Sequence, residues 1–188
     1  MNYTTLSVAE VDSALCEIAR EAQMTFGRLD ARQLNWRPDA MRWSVAQCFE
    51  HLVTATSLIL RSAETALRSP PSTMWQRLPL LPSVFGRMLI RSQAPTTKQK
   101  FTAPVQARPT TSEISGDIIQ RFAEQRLAAA DWVRGLDPRE ARRAVMVSPF
   151  IKVVTYSVMD GLRLVVAHDR RHFEQARRVM SSPEFGRN

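Results

Sequence analysis

The sequence predicts an all-α protein, organised as a four-helix bundle. Apolar residues recur three and four positions apart along four long segments, which is the spacing of one face of an α-helix. Three of these segments open on a serine that can cap a helix. Most of the prolines fall between the second and third segments, outside the periodic stretches. Four amphipathic helices of this kind bury their apolar stripes by packing together.

The first helix is predicted to begin after Ser7, whose hydroxyl caps it while Glu10 completes a capping box. The pattern fades over residues 27–29, and a short polar linker follows with Trp36 and Trp43 as packing points. The buried stripe of this helix is predicted to consist of Val11, Leu15, Ile18, Ala22 and Phe26.

The second helix is predicted to begin after Ser44, with Gln47 as the reciprocal capping partner and Trp43 placed for a hydrophobic staple. Pro70 and Pro71 end it, because proline cannot continue a helix. The predicted stripe consists of Val45, Phe49, Leu52, Ala55, Ile59, Leu60, Ala63 and Leu67.

A long crossover, residues 70 to about 112, connects the second and third helices. Connections of this length are usually functional or carry structure of their own, and one this long lets the two helices run parallel. A short helix is predicted inside it from Val84, Phe85, Met88 and Leu89. We expect these apolar residues mainly to cover the bundle, with a pocket wall or a dimer contact as alternatives.

The third helix is predicted from about Ser115 to Gly135, and residues 152–156 could pair briefly as a strand. The stripe of this helix consists of Ile118, Ile119, Phe122, Ala129, Trp132 and Val133. The last helix begins after Ser157, with Asp160 three residues on, and runs to about residue 180. Its core stripe consists of Leu162, Val165, Val166, Phe173, Ala176 and Met180.

Length and composition predict one soluble domain over residues 1–188. A chain of 188 residues can bury a core without disulfides or structural metals. There is no run of about 18 apolar residues, which argues against a transmembrane span. Residues 1–7 lack the basic-then-apolar pattern of a signal peptide, and Cys16 and Cys48 form no C-x-x-C motif. Together these features favour a cytoplasmic protein.

The formal net charge of +8 comes almost entirely from arginine, since the only lysines are Lys98, Lys100 and Lys152. Such a charge is compatible with a nucleic acid, an anionic small molecule or simple solubility. The arginines of the last helix lie mostly opposite its apolar stripe, as on an ordinary solvated face. The sequence contains no glycine-rich phosphate loop and no basic–aromatic alternation. A nucleic-acid partner is therefore disfavoured.

The three histidines are the strongest pointer to chemistry. His168 and His172 stand four residues apart and therefore project from the same side of the last helix. His51 lies on the second helix, at the margin of its apolar stripe. Three neutral imidazoles can hold one divalent cation and leave a coordination position open for water or substrate. The alternative is that these histidines are solvated or locally hydrogen-bonded.

Asp169 falls within the apolar stripe of the last helix and is predicted to be partly buried, where a carboxylate needs a partner. It could orient a metal-bound imidazole, act as a general base, or pair with a nearby arginine. Cys48, one turn before His51, could bind a soft metal. The other polar residues near the proposed ligands are more typical of surface or packing positions: Gln47, Glu50 and Gln175.

These residues resemble the DinB-like superfamily of metalloenzymes. The resemblance rests on the Trp-Ser pair at 43–44, His51-Leu52 on the helix that follows, the pair His168 and His172 with Gln175 after it, and Asn-Trp-Arg-Pro at 35–38. It covers most of the chain in order and spacing, although the specific motifs occupy only the two histidine segments.

The resemblance implies a bundle in up-down-down-up order with a divalent metal, zinc or nickel, held by His51, His168 and His172. It also implies a homodimer. Activities in the superfamily centre on thiol cofactors: transfer of low-molecular-weight thiols to electrophiles, and a thiol-dependent isomerisation. No additional residue of this chain selects among those activities.

The function predicted from the sequence is that of a metal-dependent enzyme acting on a small molecule. A zinc-type ion on three imidazoles lowers the pKa of bound water to about 7, which would give hydrolysis. The same ion could hold a thiol as thiolate, which would give thiol transfer, and the arginine excess suits a carboxylate-bearing co-substrate. The alternatives are a non-catalytic metal- or ligand-binding module and an arginine-rich nucleic-acid binder.

Overall fold

The computed structural model describes residues 2–69, 81–95, 103–110 and 113–186 of the chain. The described part is mostly helical and contains a small antiparallel sheet. Its helices are α1 (Val8–Phe26), α2 (Ala31–Asn35), α3 (Val45–Arg68), α4 (Leu81–Ser92), α5 (Ile118–Arg134), α6 (Pro138–Arg143) and α7 (Val158–Met180). Its strands are β1 (Val145–Val147) and β2 (Thr155–Ser157).

Four long helices build the core, and each packs against two of the others. Helix α1 lies against α5 and α7, while α3 lies against α5 and α7 from the other side. The stripes predicted for these helices line a single core, in which Phe26, Phe49, Phe122 and Phe173 meet edge to face or at a tilt. The all-α prediction is thus supported, whereas the up-down-down-up order stays a prediction.

Local capping chemistry sets the starts of three of these helices as predicted. The Ser7 hydroxyl accepts a hydrogen bond from the Glu10 backbone N–H, and the Glu10 carboxylate accepts one from the Ser7 backbone N–H. Ser44 and Gln47 form the same reciprocal pair. Ser157 accepts a hydrogen bond from a backbone N–H one turn later in α7. Each cap satisfies backbone N–H groups that have no partner inside the helix.

Short elements differ from the sequence prediction. Helices α2 and α6 were expected to be linker and loop; five or six residues show too little periodicity to mark a helix. The strand expected at 152–156 is shifted to β2, which pairs with β1 so that Met146 faces Tyr156. Val158 donates its backbone N–H to the Ala144 carbonyl, so the hairpin leads directly into α7.

The short helix predicted within the crossover is present as α4, and it packs on α7 and β2. Helix α4 lies close to α7 at Gly86, where a Cβ would be 2.6 Å from Oδ2 of Asp160. The absence of a side chain at Gly86 therefore lets α4 dock on the first turn of α7. Residues 70–80, 96–102 and 111–112 lie outside the described part of the chain, so the predicted ends of the crossover are not described. None of the described helices combines the length and hydropathy needed to cross a membrane.

Candidate metal centre

Helices α3 and α7 bring the three histidines together. His51 comes from the second turn of α3, whereas His168 and His172 are separated by one turn of α7. The Nε2 atom of His168 lies 3.2 Å from Nε2 of His51 and 3.1 Å from Nε2 of His172. His51 and His172 are buried, and His168 is half-buried. The cluster is the group in the described residues whose donor atoms are close enough to share a metal ion.

Hydrogen bonding between the rings does not account for this arrangement. A ring nitrogen of neutral imidazole carries either one proton or one lone pair. Nε2 of His168 can therefore satisfy only one of its two close contacts by a hydrogen bond. A cation between the rings would satisfy all three nitrogens at once. Two ligands at 2.0–2.1 Å from a tetrahedral zinc ion are about 3.3–3.4 Å apart. The two separations from Nε2 of His168 are close to this value, and the ligand atoms of all three histidines lie within 4.8 Å of one another.

The second ring nitrogen of His51 fixes which nitrogen faces the cluster. Nδ1 of His51 lies 2.5 Å from the Ala107 carbonyl oxygen, which can only accept a hydrogen bond. The Nδ1 proton is therefore donated to Ala107, and Nε2 keeps its lone pair. A carbonyl that holds the outer nitrogen in this way is a common support for a metal-binding histidine.

Burial also keeps the three imidazoles neutral. It lowers the pKa of His51 below its ordinary value of 6.5, and the hydrogen bond to Ala107 opposes the shift. Burial lowers the pKa of His168 and of His172 further, with the neighbouring imidazoles as the next cause, because two protonated rings repel each other. All three rings are consequently neutral at neutral pH, the form in which histidine binds metals.

Trp43 forms an aromatic wall of the cluster. Its ring is stacked on that of His172, with centroids 5.8 Å apart and planes inclined by 15°. It is also tilted against His51, at 5.1 Å between centroids. The sequence suggested Trp43 as a packing point and a hydrophobic staple for α3, and as part of the Trp-Ser pair of the family resemblance. The half-buried indole instead lies against two of the three imidazoles and restricts their ring orientations.

Three polar side chains on α3 hold a segment of the crossover beside the cluster. In addition to His51, Gln47 donates its side-chain N–H to the Thr110 carbonyl, with 2.9 Å between the atoms. The Thr110 backbone N–H donates to Glu50 at 2.6 Å. Residues 103–110 thus pass over the histidine-bearing face of α3, fixed at Ala107 and Thr110. Gln47 and Glu50 fit the predicted packing role.

Asp169 was predicted to be partly buried and is fully buried, and its partner is an arginine of α5. Arg126 donates from Nε to Oδ2 and from Nη2 to Oδ1, with both distances 2.7 Å. Burial raises the pKa of the Asp169 carboxyl, and the adjacent guanidinium opposes that shift. The contact corresponds to the arginine-paired alternative, while the general-base and imidazole-orienting roles of Asp169 stay predictions.

Cys48 is not part of the cluster. Its side chain is fully buried, and burial raises the pKa of its thiol to about 12. A thiol must lose its proton to bind a metal, so a soft-metal site at Cys48 is disfavoured.

Nδ1 of His172 is buried and has no hydrogen-bond partner within the described ranges. Gln175 lies close enough to raise the pKa of His172 without meeting hydrogen-bond geometry at that atom.

Arg126 and the Ala107 carbonyl are the parts of the site that the sequence did not predict. A signal for Arg126 was present: it falls in the apolar stripe of its helix, between Phe122 and Ala130, just as Asp169 falls in the stripe of α7. Two opposite charges on the buried faces of two helices predict an ion pair. The Ala107 carbonyl carried no such signal, because any backbone carbonyl in the aperiodic crossover could have served.

A family model described as the DinB superfamily matches residues 15–176, a range that includes all three histidines and Arg126. Among curated proteins and solved structures, no relative matches the chain. Because the match covers most of the sequence, the chain belongs to the DinB superfamily.

Proposed function

We propose that this DinB-superfamily chain is a metal-dependent enzyme that acts on a small molecule at a divalent cation held by His51, His168 and His172. The observation that carries the proposal is that three neutral imidazoles each bring a ring nitrogen to within 4.8 Å of the other two, with Nε2 of His168 at 3.2 Å and 3.1 Å from Nε2 of His51 and His172. The donor set also fits: imidazole suits zinc and nickel, and three protein ligands leave a coordination position open for a reactant.

A bound ion would supply Lewis acidity, which activates either water for hydrolysis or a thiol for transfer. The residues of the chain do the positioning. The Ala107 carbonyl holds the His51 ring in the tautomer that presents Nε2, and Trp43 stacks on His172 and limits its rotation. Because His168 is the most exposed of the three, we infer that reactants approach on its side.

Thiol transfer is the form of this activity that we favour over hydrolysis. Family membership supports it, since activities in the superfamily centre on low-molecular-weight thiols. The charge of the chain also suits a thiol that carries carboxylates, because its 26 basic residues outnumber 18 acidic ones. Hydrolysis is faster where a side chain beside the ion accepts a proton from the attacking water. Two carboxylates directly neighbour the proposed ligands in sequence, and both already accept hydrogen bonds. Asp169 accepts two from Arg126, and Glu50 accepts from the backbone N–H and the hydroxyl of Thr110.

Metal analysis tests the proposal. Protein purified without a histidine tag is incubated with zinc or nickel, freed of excess ion and analysed for metal. The parent is expected to retain about one equivalent, and His172→Ala to lose it. Cys48→Ala is the matched control, since it removes the soft-metal ligand that the sequence suggested on α3 and should retain the metal. Absence of metal from the parent, or retention by both His51→Ala and His168→Ala, would contradict the proposal.

Turnover separates an enzyme from a binding module. The metal-loaded parent is assayed for consumption of a small carboxylated thiol in the presence of an electrophile, and separately for ester hydrolysis. Thiol consumption that depends on His168 supports transfer. Tight metal retention with neither reaction would favour a non-catalytic metal- or ligand-binding module. Steeply salt-dependent binding to DNA or RNA that survives loss of the histidines would instead identify a nucleic-acid binder.

A further inference from the structure

A buried arginine links the two helices that carry the proposed metal ligands. Arg126 of α5 is fully buried, and its guanidinium lies 4.1 Å above the centroid of the Phe122 ring. On α7 it makes the two-point contact with Asp169. On α3 it donates from Nη2 to the Leu52 carbonyl at 3.3 Å. One side chain therefore holds both ligand-bearing helices.

Arg126 contacts α3 and α7 at the residues that directly follow two of the proposed ligands. Asp169 directly follows His168, and Leu52 directly follows His51. Successive residues on a helix are separated by about 100° in direction. The histidines can therefore face the cluster while the residue after each one faces Arg126. A slide or rotation of α3 against α7 that moved His51 away from His168 would also strain the contacts of Arg126.

Gln125 extends the connection along α3. It accepts a hydrogen bond from Arg126 at its side-chain oxygen, and its side-chain N–H donates to the Val53 carbonyl at 3.0 Å and to the Ser57 hydroxyl at 2.8 Å. Arg126 and Gln125 together thus contact α3 over more than one helical turn. We call Arg126, Asp169 and Gln125, with the Leu52 carbonyl, the clasp.

Stability alone is a weak reason for burying these charges. Replacing a buried ion pair by apolar side chains of similar size is often neutral or stabilising, because removing two charges from water is costly. A buried, fully hydrogen-bonded pair does define one relative placement of the elements it joins. In this chain the joined elements are the helices that present the proposed ligands.

We propose that Arg126 is a positioning residue of the metal centre: through Asp169 and the Leu52 carbonyl it fixes the register of α3 against α7, and with it the spacing of His51 from His168. This inference rests on the proposed function, since it presumes that the histidines bind a metal. It predicts that removing the clasp weakens metal binding even when the fold is intact.

The test compares three variants with the parent. Arg126→Met/Asp169→Val removes both charges, so that no buried charge is left without its partner, and it also removes the hydrogen bonds from Arg126 to Gln125 and to the Leu52 carbonyl. Arg126→Lys keeps the charge but loses the two-point contact, because an ammonium lacks the planar fork of a guanidinium. Leu15→Ala is the control: it opens a cavity on α1, which carries no ligand, and lowers stability without replacing a residue of the clasp.

Each protein is titrated with zinc against a chromophoric chelator and with cobalt, whose absorption spectrum reports the ligand geometry. Circular dichroism first establishes that each variant is folded at the titration temperature. We expect the double variant to bind zinc about 10–100-fold more weakly, the loss typical of removing supporting residues around a metal. The cobalt spectrum of the double variant should also differ from that of the parent. The zinc affinity of Arg126→Lys should lie between those of the double variant and the parent. Leu15→Ala should match the parent in both measurements.

Parent-like zinc affinity and cobalt spectrum in the folded double variant would overturn the inference and leave the metal centre standing. If the double variant does not fold, the test rests on Arg126→Lys. Parent-like zinc affinity and cobalt spectrum in Arg126→Lys would then overturn the inference. If the parent binds neither zinc nor cobalt, the proposed function and this inference both fail. Equal weakening in Leu15→Ala would assign the effect to general stability and would also overturn the inference.

Discussion

Replacing Arg126 alone leaves a buried carboxylate without its partner. In Arg126→Met, Asp169 loses two charge-assisted hydrogen bonds, and neither side chain of the original pair has any exposed surface. Breaking a buried pair from one side costs about 3–5 kcal/mol. A domain of this size has a free energy of unfolding of roughly 5–15 kcal/mol. The single substitution therefore removes a large part of the total stability.

Urea denaturation, followed by circular dichroism, measures this cost. We expect Arg126→Met to lower the free energy of unfolding by about 3–5 kcal/mol, and the melting temperature by roughly 6–20 °C. Arg126→Met/Asp169→Val should recover most of the loss, because the uncompensated charge is gone. The double-mutant cycle then isolates the coupling between the two side chains.

The pH dependence supplies an independent check. In Arg126→Met the folded state raises the pKa of Asp169 by burial, without the opposing guanidinium. Protonation then favours the folded state, so the deficit relative to the parent should shrink as the pH falls from 7 towards 5. A deficit below about 1 kcal/mol, or an equal deficit in the single and double variants, would refute the reasoning.

Three further predictions follow from the structure. Gly86→Ala should destabilise the protein by about 1–3 kcal/mol, because the new Cβ would lie within 2.9 Å of three Asp160 atoms. An unchanged urea midpoint would contradict this, since it would mean that α4 or Asp160 can move aside at no cost in stability. The metal-free protein should lose stability as the pH falls below 6.5. Burial lowers the pKa of His168 and His172 in the folded state, so the unfolded chain binds more protons in that range. The slope of the unfolding free energy against pH should reach about 1.4 kcal/mol per pH unit for each of these two histidines. The slope should be smaller in His168→Gln/His172→Gln, and equal slopes in this variant and the parent would contradict the lowered pKa values. The homodimer implied by the family predicts a light-scattering mass of twice 21.4 kDa, whereas 21.4 kDa at all concentrations would contradict it.

The starts of α1, α3 and α7 could be predicted from the sequence because helix caps are local, whereas α5, predicted from about Ser115, begins at Ile118 without a side-chain cap. Ser44 and Gln47 are three residues apart, and their side chains meet whatever the rest of the chain does. The pairing of His168 with His172 was predictable for the same reason, since one turn of helix places both on one side. Helix α2 was missed, because five residues carry too little pattern.

Contacts across long sequence separations could not be located in this way. The Ala107 carbonyl is 56 residues from His51, and Arg126 is 43 residues from Asp169. The sequence predicted that Asp169 needs a partner, but many arginines were available. The packing of α5 between α1 and α3 selected Arg126, which lies on its buried face.

X-ray absorption at the zinc edge of the zinc-loaded parent tests the metal centre most directly. The structure predicts three imidazole nitrogens at about 2.0–2.1 Å, together with a light oxygen or nitrogen ligand. A sulfur shell at about 2.3 Å would instead place Cys48 or Cys16 on the metal. That result, or a spectrum with fewer than two imidazoles, would contradict the assignment of His51, His168 and His172 as the ligands.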